Sequence, residues 1–396
     1  MQEQVSAQRV HIAFFGRRNV GKSSLINAVT GQKLSVVSEV KGTTTDPVKK
    51  AMELLPIGPV VVIDTPGFDD EGPLGELRVE KTKEILRQTD VAVLVADAVA
   101  GWSPEEEAFL KVLEKKEVPY ILVYNKADLL EDEKKDPSAV YVSAAKGSGI
   151  ENLKQVLGKL AKKKETDKRI VSDLLSKGDV VLLVTPIDES APKGRLILPQ
   201  QQTIRDILDA GAMPLVCRDT ELKDALGSLG APPKMVITDS QAFGRVSKIV
   251  PESIPLTSFS ILFARYKGDL KTQVQGAAML SKLKEGDRIL IAEGCTHHRQ
   301  CGDIGTVKLP AWIRAFSEAD VKMEFMSGGE FPVDLSAYKL VVHCGGCMLN
   351  ETEMKNRIKA AKEQHVPVVN YGVAIAHIHG ILKRSLELFP DVLELL

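Results

Sequence analysis

The sequence predicts an α/β protein of three domains: a doubly wound, mostly parallel sheet at the N-terminus and two smaller α/β domains after it. Short β-branched runs alternate with helical patterns from residue 9 to about 163, and the alternation returns after 170 and again after 266. Apolar runs of this kind are typical of buried parallel strands. A charged stretch over 162–169 separates the first domain from the second. We therefore place the domains at 1–169, 170–265 and 266–396.

Each domain repeats a strand–loop–helix unit. In the first, five runs end in a polar or glycine-containing loop: RVHIAFFG, PVVVIDTPG, DVAVLVADA, PYILVYNKAD and AVYVSAAK. In the second, the strands are DVVLLVTP, MPLVCR and KMVITD; in the third, they are DRILIAEG, YKLVVH and VPVVN. The carboxyl ends of parallel strands meet at one edge of a sheet, so the residues after each strand are the candidates for function.

Charge and hydropathy exclude several classes of protein. The 396 residues hold 52 Lys+Arg against 53 Asp+Glu, which gives no indication of a nucleic-acid partner. The apolar runs are too short to span a bilayer, and the first residues lack the pattern of a signal peptide. We expect a cytoplasmic protein without a membrane partner. Five cysteines, an odd number, favour metal ligation in a reducing compartment over a disulfide framework.

A phosphate-binding loop follows the first strand. Residues 16–23 read GRRNVGKS, which matches G-x-x-x-x-G-K-S before an expected helix. In this motif main-chain N–H groups wrap the phosphates, Lys22 reaches the β- and γ-phosphates and the Ser23 hydroxyl binds Mg²⁺. Four further motifs follow in order: GTTTD at 42–46, DTPG at 64–67, NKAD at 125–128 and SAAK at 143–146.

These motifs predict GTP as the nucleotide. Asp128 offers two carboxylate oxygens to the N1–H and amino group of guanine, a donor pair that adenine lacks. Asp64 and a threonine of 43–45 are expected near the Mg²⁺, and the Gly67 N–H is expected to sense the γ-phosphate. The predicted nucleotide-binding residues are Asn19, Val20, Gly21, Lys22, Ser23, Ser24, Thr44, Asp64, Gly67, Asn125, Lys126, Asp128, Ser143 and Ala144.

By these residues the first domain resembles the translation-factor class of GTPases, and within it the tRNA-modification and ribosome-assembly GTPases. The resemblance implies that Asn19 helps to hold K⁺ against the phosphates. It also assigns Thr44, among Thr43–Thr45, as the second Mg²⁺ ligand beside Ser23. Phe68 follows the DTPG motif where Ras-like proteins have glutamine, so we expect slow intrinsic hydrolysis.

Two cysteine and histidine clusters mark the third domain, at 295–297 (CTH) and 343–347 (HCGGC). Each follows a predicted strand directly, so parallel neighbouring strands would bring both clusters to one edge. Thiolates in a Cys-x-x-Cys spacing hold zinc or an iron–sulfur cluster. The expected ligands are Cys295, Cys344 and Cys347, and the residues that compete for a fourth position are His297, Cys301 and His343.

Together the clusters and the GTPase motifs resemble the FeFe-hydrogenase maturation GTPases, over the whole chain. The resemblance implies a [4Fe-4S] cluster on the three cysteines and a homodimer formed through the middle domain. It implies a scaffold that receives a di-iron subcluster precursor from the radical-SAM maturases HydE and HydG and delivers it to apo FeFe-hydrogenase. Some relatives have a glutamate as a labile fourth ligand; here that stretch offers Cys301 or Asp303 instead.

Two other functions are weighed against this one. A ribosome- or tRNA-associated GTPase with a structural zinc module is opposed by the near-zero net charge. A dithiol redox enzyme acting through Cys344 and Cys347 is opposed by the presence of His343 and of the distant Cys295.

Overall fold

The computed structural model describes residues 9–32, 47–67, 73–130, 136–162, 168–186, 196–294 and 304–396. The chain divides into two compact units, Met1–Asp167 and Lys168–Leu396. Within the described ranges, no helix is both long and apolar enough to cross a membrane.

The first unit is built on a six-stranded sheet. Its strands have the order β2-β3-β1-β4-β5-β6, and all neighbours are parallel except β2 and β3. The prediction of a mostly parallel sheet is confirmed. The strands are β1 (Val10–Phe15), β2 (Val48–Leu54), β3 (Gly58–Asp64), β4 (Val91–Asp97), β5 (Tyr120–Asn125) and β6 (Ala139–Tyr141).

Helices cover both faces of this sheet. Ile12 and Phe14 of β1 join a core with α1 and α4, and the alternate residues Ala13 and Phe15 join a second core with α2 and α3. Burial on both faces explains why the central strands are apolar throughout. The helices are α1 (Lys22–Thr30), α2 (Pro73–Gln88), α3 (Pro104–Lys115) and α4 (Ile150–Lys162).

Sequence analysis missed β2. This strand lies at the edge of the sheet and pairs antiparallel with β3. Five of its seven residues are exposed, among them Lys49 and Lys50. An edge strand without a buried face lacks the apolar run by which the other strands were recognised.

The second unit begins with a four-stranded parallel sheet of order β10-β9-β7-β8. Its strands are β7 (Val180–Val184), β8 (Met213–Cys217), β9 (Met235–Thr238) and β10 (Leu256–Ser258). The helices that accompany it are α5 (Leu198–Asp209), α6 (Leu222–Ser228), α7 (Phe243–Ile249) and α8 (Phe259–Lys267).

A second parallel sheet follows, with the order β12-β11-β13-β14. Its strands are β11 (Arg288–Glu293), β12 (Lys322–Ser327), β13 (Leu340–His343) and β14 (Val368–Asn370). The helices of this part are α9 (Leu270–Ala277), α10 (Leu309–Ser317), α11 (Glu351–Glu363), α12 (Tyr371–Ile378), α13 (Leu382–Ser385) and α14 (Pro390–Leu393).

Both small sheets reverse their strand order beside their first strand, between β7 and β9 in one and between β11 and β13 in the other. Open α/β sheets bind ligands at such a switch point. Sequence analysis missed β10, which has three residues, and β12, a half-exposed edge strand. The two sheets share one continuous apolar core, and α8 runs through the predicted boundary at 265/266.

Candidate nucleotide and metal sites

The phosphate-binding loop joins β1 to α1 in the first unit. Asn19 and Gly21 both have positive φ angles, of 59° and 87°, which turn the chain tightly before the helix. A Cβ on Gly21 would lie 2.3 Å from the Nδ2 of Asn125, so only glycine fits there. Lys22 begins α1, and its Nζ donates to the carbonyls of Gly16, at 2.8 Å, and Arg17, at 2.6 Å.

The two described residues predicted to serve Mg²⁺ lie together. The Ser23 Oγ donates to the Oδ2 of Asp64 at 2.8 Å. Asp64 ends β3 and is buried, and Gly67 follows three residues later. This pair offers a hydroxyl and a carboxylate, the oxygen groups that Mg²⁺ prefers. Thr44 lies outside the described residues.

Asn125 ties three of the predicted motifs to one another. Its Nδ2 donates to the Val20 carbonyl at 3.0 Å, and its Oδ1 accepts from the Ala144 N–H at 3.0 Å. Asn125 ends β5 and is 2% exposed. A single buried amide therefore joins the phosphate loop, the NKAD motif and the SAAK motif.

Asp128 is held as an ionised acceptor. A hydrogen bond from the Ser143 side chain lowers the pKa of Asp128, and the charge of Lys146 acts in the same direction. The Lys146 Nζ lies 3.5 Å from the Asp128 Oδ2. Lys126 has a φ of 63°, and its Nζ lies 2.6 Å from the Oδ2 of Asp97. The carboxylate that is predicted to select guanine is thus available as an acceptor.

Sequence analysis missed Glu106 as a support of the phosphate loop. Its Oε1 accepts from the Arg17 Nε at 3.2 Å, and its Oε2 accepts from the Ser103 N–H at 2.9 Å. Glu106 is fully buried in the first turn of α3, where it completes a capping box with Ser103. The letters SPEE at 103–106 are the signal of such a box, but not of its contact with Arg17.

The second candidate site lies at the switch point between β11 and β13. These strands are parallel neighbours, and Ala292 pairs with His343. The Cys344 N–H donates to the Ala292 carbonyl at 2.8 Å, and the Gly294 N–H donates to the Cys344 Sγ at 3.0 Å. The expected arrangement of the two strands is therefore present. Cys295 follows Gly294 directly but lies outside the described residues, as do His297, Cys301 and Asp303.

The loop after β13, residues 344–350, is the cysteine loop, which carries Cys344 and Cys347. Gly346 has a φ of 60°, and a Cβ there would lie 2.5 Å from the Met354 Sδ. The Gly346 N–H donates to the Cys344 Sγ at 3.4 Å. Within the described ranges, no three His, Cys, Asp or Glu side chains form a metal-binding group.

The two thiols are poorly suited to ionise unless a cation binds them. Burial, followed by the neighbouring Cys347, raises the pKa of Cys344 to about 11. Burial also raises the pKa of Cys347, against the opposing charge of Lys267. A metal ion supplies the positive charge that makes such thiols thiolates, and main-chain N–H groups aimed at sulfur stabilise metal-bound thiolates. The donor set described here therefore fits a cysteine-ligated metal centre.

Two buried cations adjoin this loop, and neither was predicted from the sequence. Lys267 is 3% exposed, and burial lowers its pKa to about 8, against the opposing effect of Cys347 and Cys344. Arg357 is 1% exposed, and its guanidinium donates to the Glu353 Oε1 at 2.8 Å and to the Gly328 carbonyl at 3.0 Å.

His343 lies between Arg357 and the cysteine loop. Its Nε2 is 3.1 Å from the Arg357 Nη1, and its Nδ1 is 2.8 Å from the Cys344 carbonyl. Because arginine is only a donor, Nε2 accepts and Nδ1–H donates. Burial and the charge of Arg357 lower the pKa of His343 to about 3, which keeps the ring neutral. Both ring nitrogens are thus engaged within the protein.

Known GTPases are similar in sequence to the first part of this chain. The family model described as 50S ribosome-binding GTPase matches residues 11–126. The tRNA modification GTPase MnmE of Parasynechococcus marenigrum (strain WH8102) is 37% identical over 149 residues, which are 37% of this chain and 33% of that protein. GTPase Der of Kosmotoga olearia is 32% identical over 185 residues, 42% of this chain and 41% of that protein. The chain thus spans a third to two fifths of the length of these relatives.

Among solved structures, a probable GTP-binding protein engB is 25% identical, with 39% of this chain and all of that chain covered and a TM-score of 0.33. The fold, the motifs and the family model define the first domain as a P-loop GTPase domain, which hydrolyses GTP.

The rest of the chain matches two more specific models. The hydrogen maturase F dimerization domain matches residues 170–268, and the hydrogen maturase F tetramerization domain matches 271–388. The chain therefore belongs to the hydrogen maturase F family, and its domains are those of an oligomer.

Proposed function

We propose that this GTPase is a scaffold that binds a [4Fe-4S] cluster through Cys295, Cys344 and Cys347 and carries a di-iron subcluster precursor to apo FeFe-hydrogenase. The observation that carries the proposal is the hydrogen bond from the Gly294 N–H to the Cys344 Sγ. It holds the residue before Cys295 against the cysteine loop, at the switch point of the sheet. Family membership supports the hydrogenase as the recipient.

Cys295, Cys344 and Cys347 would hold such a cluster through their thiolates, and an exchangeable fourth ligand would complete its ligation. We assign the fourth position to the stretch that holds His297, Cys301 and Asp303. His343 is assigned a positioning role because both its ring nitrogens already have partners. By membership of the family, we assign HydE and HydG as the source of the precursor.

Metal and sulfide analysis with EPR spectroscopy, on protein purified without oxygen, tests this proposal. We expect about four irons with labile sulfide per chain, as three cysteines and one exchangeable ligand require. A Cys344→Ala variant should lose them, while Cys217→Ala should not, since Cys217 ends β8 in the other sheet. One zinc without sulfide would instead favour the ribosome- or tRNA-associated GTPase with a zinc module.

The nucleotide site has a second test. We propose that Lys22 neutralises the β- and γ-phosphates, that Ser23, Asp64 and Thr44 hold Mg²⁺, and that Asn19 helps to hold K⁺. The left-handed backbone at Asn19 supports its place in the turn of the loop. GTP turnover should be faster in KCl than in NaCl, and Asn19→Ala should remove the difference. Equal rates in the two salts would contradict the role of K⁺.

A further inference from the structure

Lys267 makes an unusual set of contacts for a lysine at the end of a helix. Its Nζ donates to the carbonyls of Gly346 at 3.2 Å, Cys347 at 3.3 Å and Leu349 at 3.0 Å. All its hydrogen bonds to described residues are to main-chain carbonyls of this one loop. Three acceptors use all three N–H donors of an ammonium group, so the contacts require the charged form.

A buried charge is costly unless an opposite charge balances it. The acidic groups that act on Lys267 are the thiols of Cys347 and Cys344 and, with a weaker effect, the carboxyl group of Glu351. Glu351 is already paired with Lys168 at 2.7 Å. Cysteine sulfur that ligates a metal is an anionic thiolate, so a metal held by Cys344 and Cys347 would place negative charge beside the loop that Lys267 contacts. The charge of Lys267 is therefore matched best when the cysteine loop holds a metal.

We propose that Lys267 is a positioning residue of the metal centre, which fixes the cysteine loop through three carbonyls and balances the charge of the thiolates. The inference rests on the proposed function, since it assumes that Cys344 and Cys347 are ligands. A cation at this place stabilises the more negative, reduced form of an iron–sulfur centre over the oxidised form. It also favours the binding of any divalent ion that these thiolates ligate.

The test uses the full-length protein with Lys267→Met, which removes charge and donors, and Lys267→Gln, which removes the charge but keeps an N–H donor. Lys271→Met is the matched control, because Lys271 is an exposed lysine of the adjoining helix α9. The midpoint potential of the iron–sulfur centre is measured by EPR-monitored titration. The affinity of the metal-free protein for Co²⁺ is measured by the thiolate-to-metal absorption band.

For both Lys267 variants we expect the equilibrium constant for reduction to fall about tenfold, because the loss of one nearby positive charge has an effect of this order. For a one-electron couple this is a decrease of about 59 mV. The Co²⁺ affinity should fall by a similar factor, and Lys271→Met should behave as the wild type. Wild-type values in both Lys267 variants would overturn the inference. If Lys267→Gln alone kept the wild-type midpoint potential and Co²⁺ affinity, the charge of Lys267 would have no role and its hydrogen bonds alone would matter.

The two proposals fail in different ways. In one outcome, the wild-type protein assembles iron and sulfide and the Lys267 variants keep the wild-type midpoint potential. The cluster proposal then stands, and the proposed role of Lys267 is wrong. A wild-type protein without iron and sulfide overturns the cluster proposal. In that case the Co²⁺ titration decides on Lys267: unchanged affinity rejects it, and a tenfold loss supports it for a thiolate-bound divalent ion.

Discussion

The two small sheets of the second unit have the same strand order and very different carboxyl edges. After β9, Asp239 accepts from the Gln200 side chain at 2.9 Å, and Ser240 donates to the Ser258 hydroxyl at 3.3 Å. These polar groups satisfy one another. After β13, two main-chain N–H groups are aimed at the Cys344 sulfur, and the cations of Lys267 and Arg357 are buried nearby.

The strand order of a sheet therefore determines only where a site can lie. Both switch points lie beside the first strand of their sheet. Of the described loops, the one after β13 has glycines and thiols, whereas the one after β9 has neither. Function resides in the residues grafted onto the fold. Substitutions at matched places in the two sheets should therefore have unequal effects on metal binding. Where the matched residues serve the fold alone, their effects on the free energy of unfolding should be equal.

The largest expected effect comes from Arg357→Met. Removing this guanidinium leaves the buried carboxylate of Glu353 without its ion-pair partner, a change that typically costs 3–5 kcal/mol. Arg205→Met is the control near the first small sheet, because Arg205 of helix α5 pairs with Asp209 of the same helix on an exposed surface. This substitution should cost at most about 0.5 kcal/mol. Denaturant unfolding measures both free energies. Equal losses would contradict the structural role of Arg357.

The next effect is expected for Gly346→Ala. Alanine is strained at a φ of 60°, and its Cβ would meet the Met354 Sδ, so we expect a loss of about 2 kcal/mol together with weaker metal binding. Gly345→Ala is the matched control within the same loop, since a Cβ there meets nothing within 4 Å. The iron content and the temperature of thermal unfolding should fall for Gly346→Ala and should stay unchanged for Gly345→Ala. A normal iron content in that variant would show that the shape of the loop is not critical.

A third prediction concerns the edge of the first small sheet. The edge strand β8 exposes three large apolar residues, Met213, Leu215 and Val216. The dimerization model covers this segment, and we propose that β8 meets a second copy of the chain. Val216→Lys should raise the dimer dissociation constant at least about tenfold, or about 1.4 kcal/mol, in sedimentation experiments. Val333→Lys, at an exposed site near the other sheet, should leave it unchanged.

The smallest effect is expected where the two sheets agree. The fourth strand of each runs directly into a capped helix: Ser258 accepts from the Ile261 N–H at 3.2 Å, and Asn370 accepts from the Val373 N–H at 2.7 Å. Ser258→Ala and Asn370→Ala should each cost about 1 kcal/mol in thermal or denaturant unfolding. A several-fold larger cost at Asn370, or a loss of iron there, would place this cap in the metal site.

Much of the architecture could be predicted from the sequence. The α/β class, the mostly parallel first sheet and the GTPase domain follow from apolar runs and motifs that local sequence alone determines. The strands β2, β10 and β12 could not, since they are short or exposed and their pairing depends on distant residues. The three domain boundaries stay a prediction.

For the sites, the sequence identifies which side chains have chemistry but not which charges are buried. Lys267 and Arg357 read as ordinary solvated residues of their helices, and a lysine in a last helical turn is common for electrostatic reasons alone. Glu353 lies four residues before Arg357 on the same helix, but the burial of the two cations also depends on Phe331 and the cysteine loop, which packing brings to them from elsewhere in the chain. No local pattern of residues predicts such contacts.

Helix α8 packs in the apolar core that the two small sheets share. It starts at the Ser258 cap beside the first small sheet and ends at Lys267 beneath the cysteine loop, nine residues or about 14 Å later. Because the helix and the shared apolar core belong to both sheets, we expect 170–396 to unfold in a single cooperative step. Neither sheet is then an independent folding unit, and a cut within α8 would disrupt both.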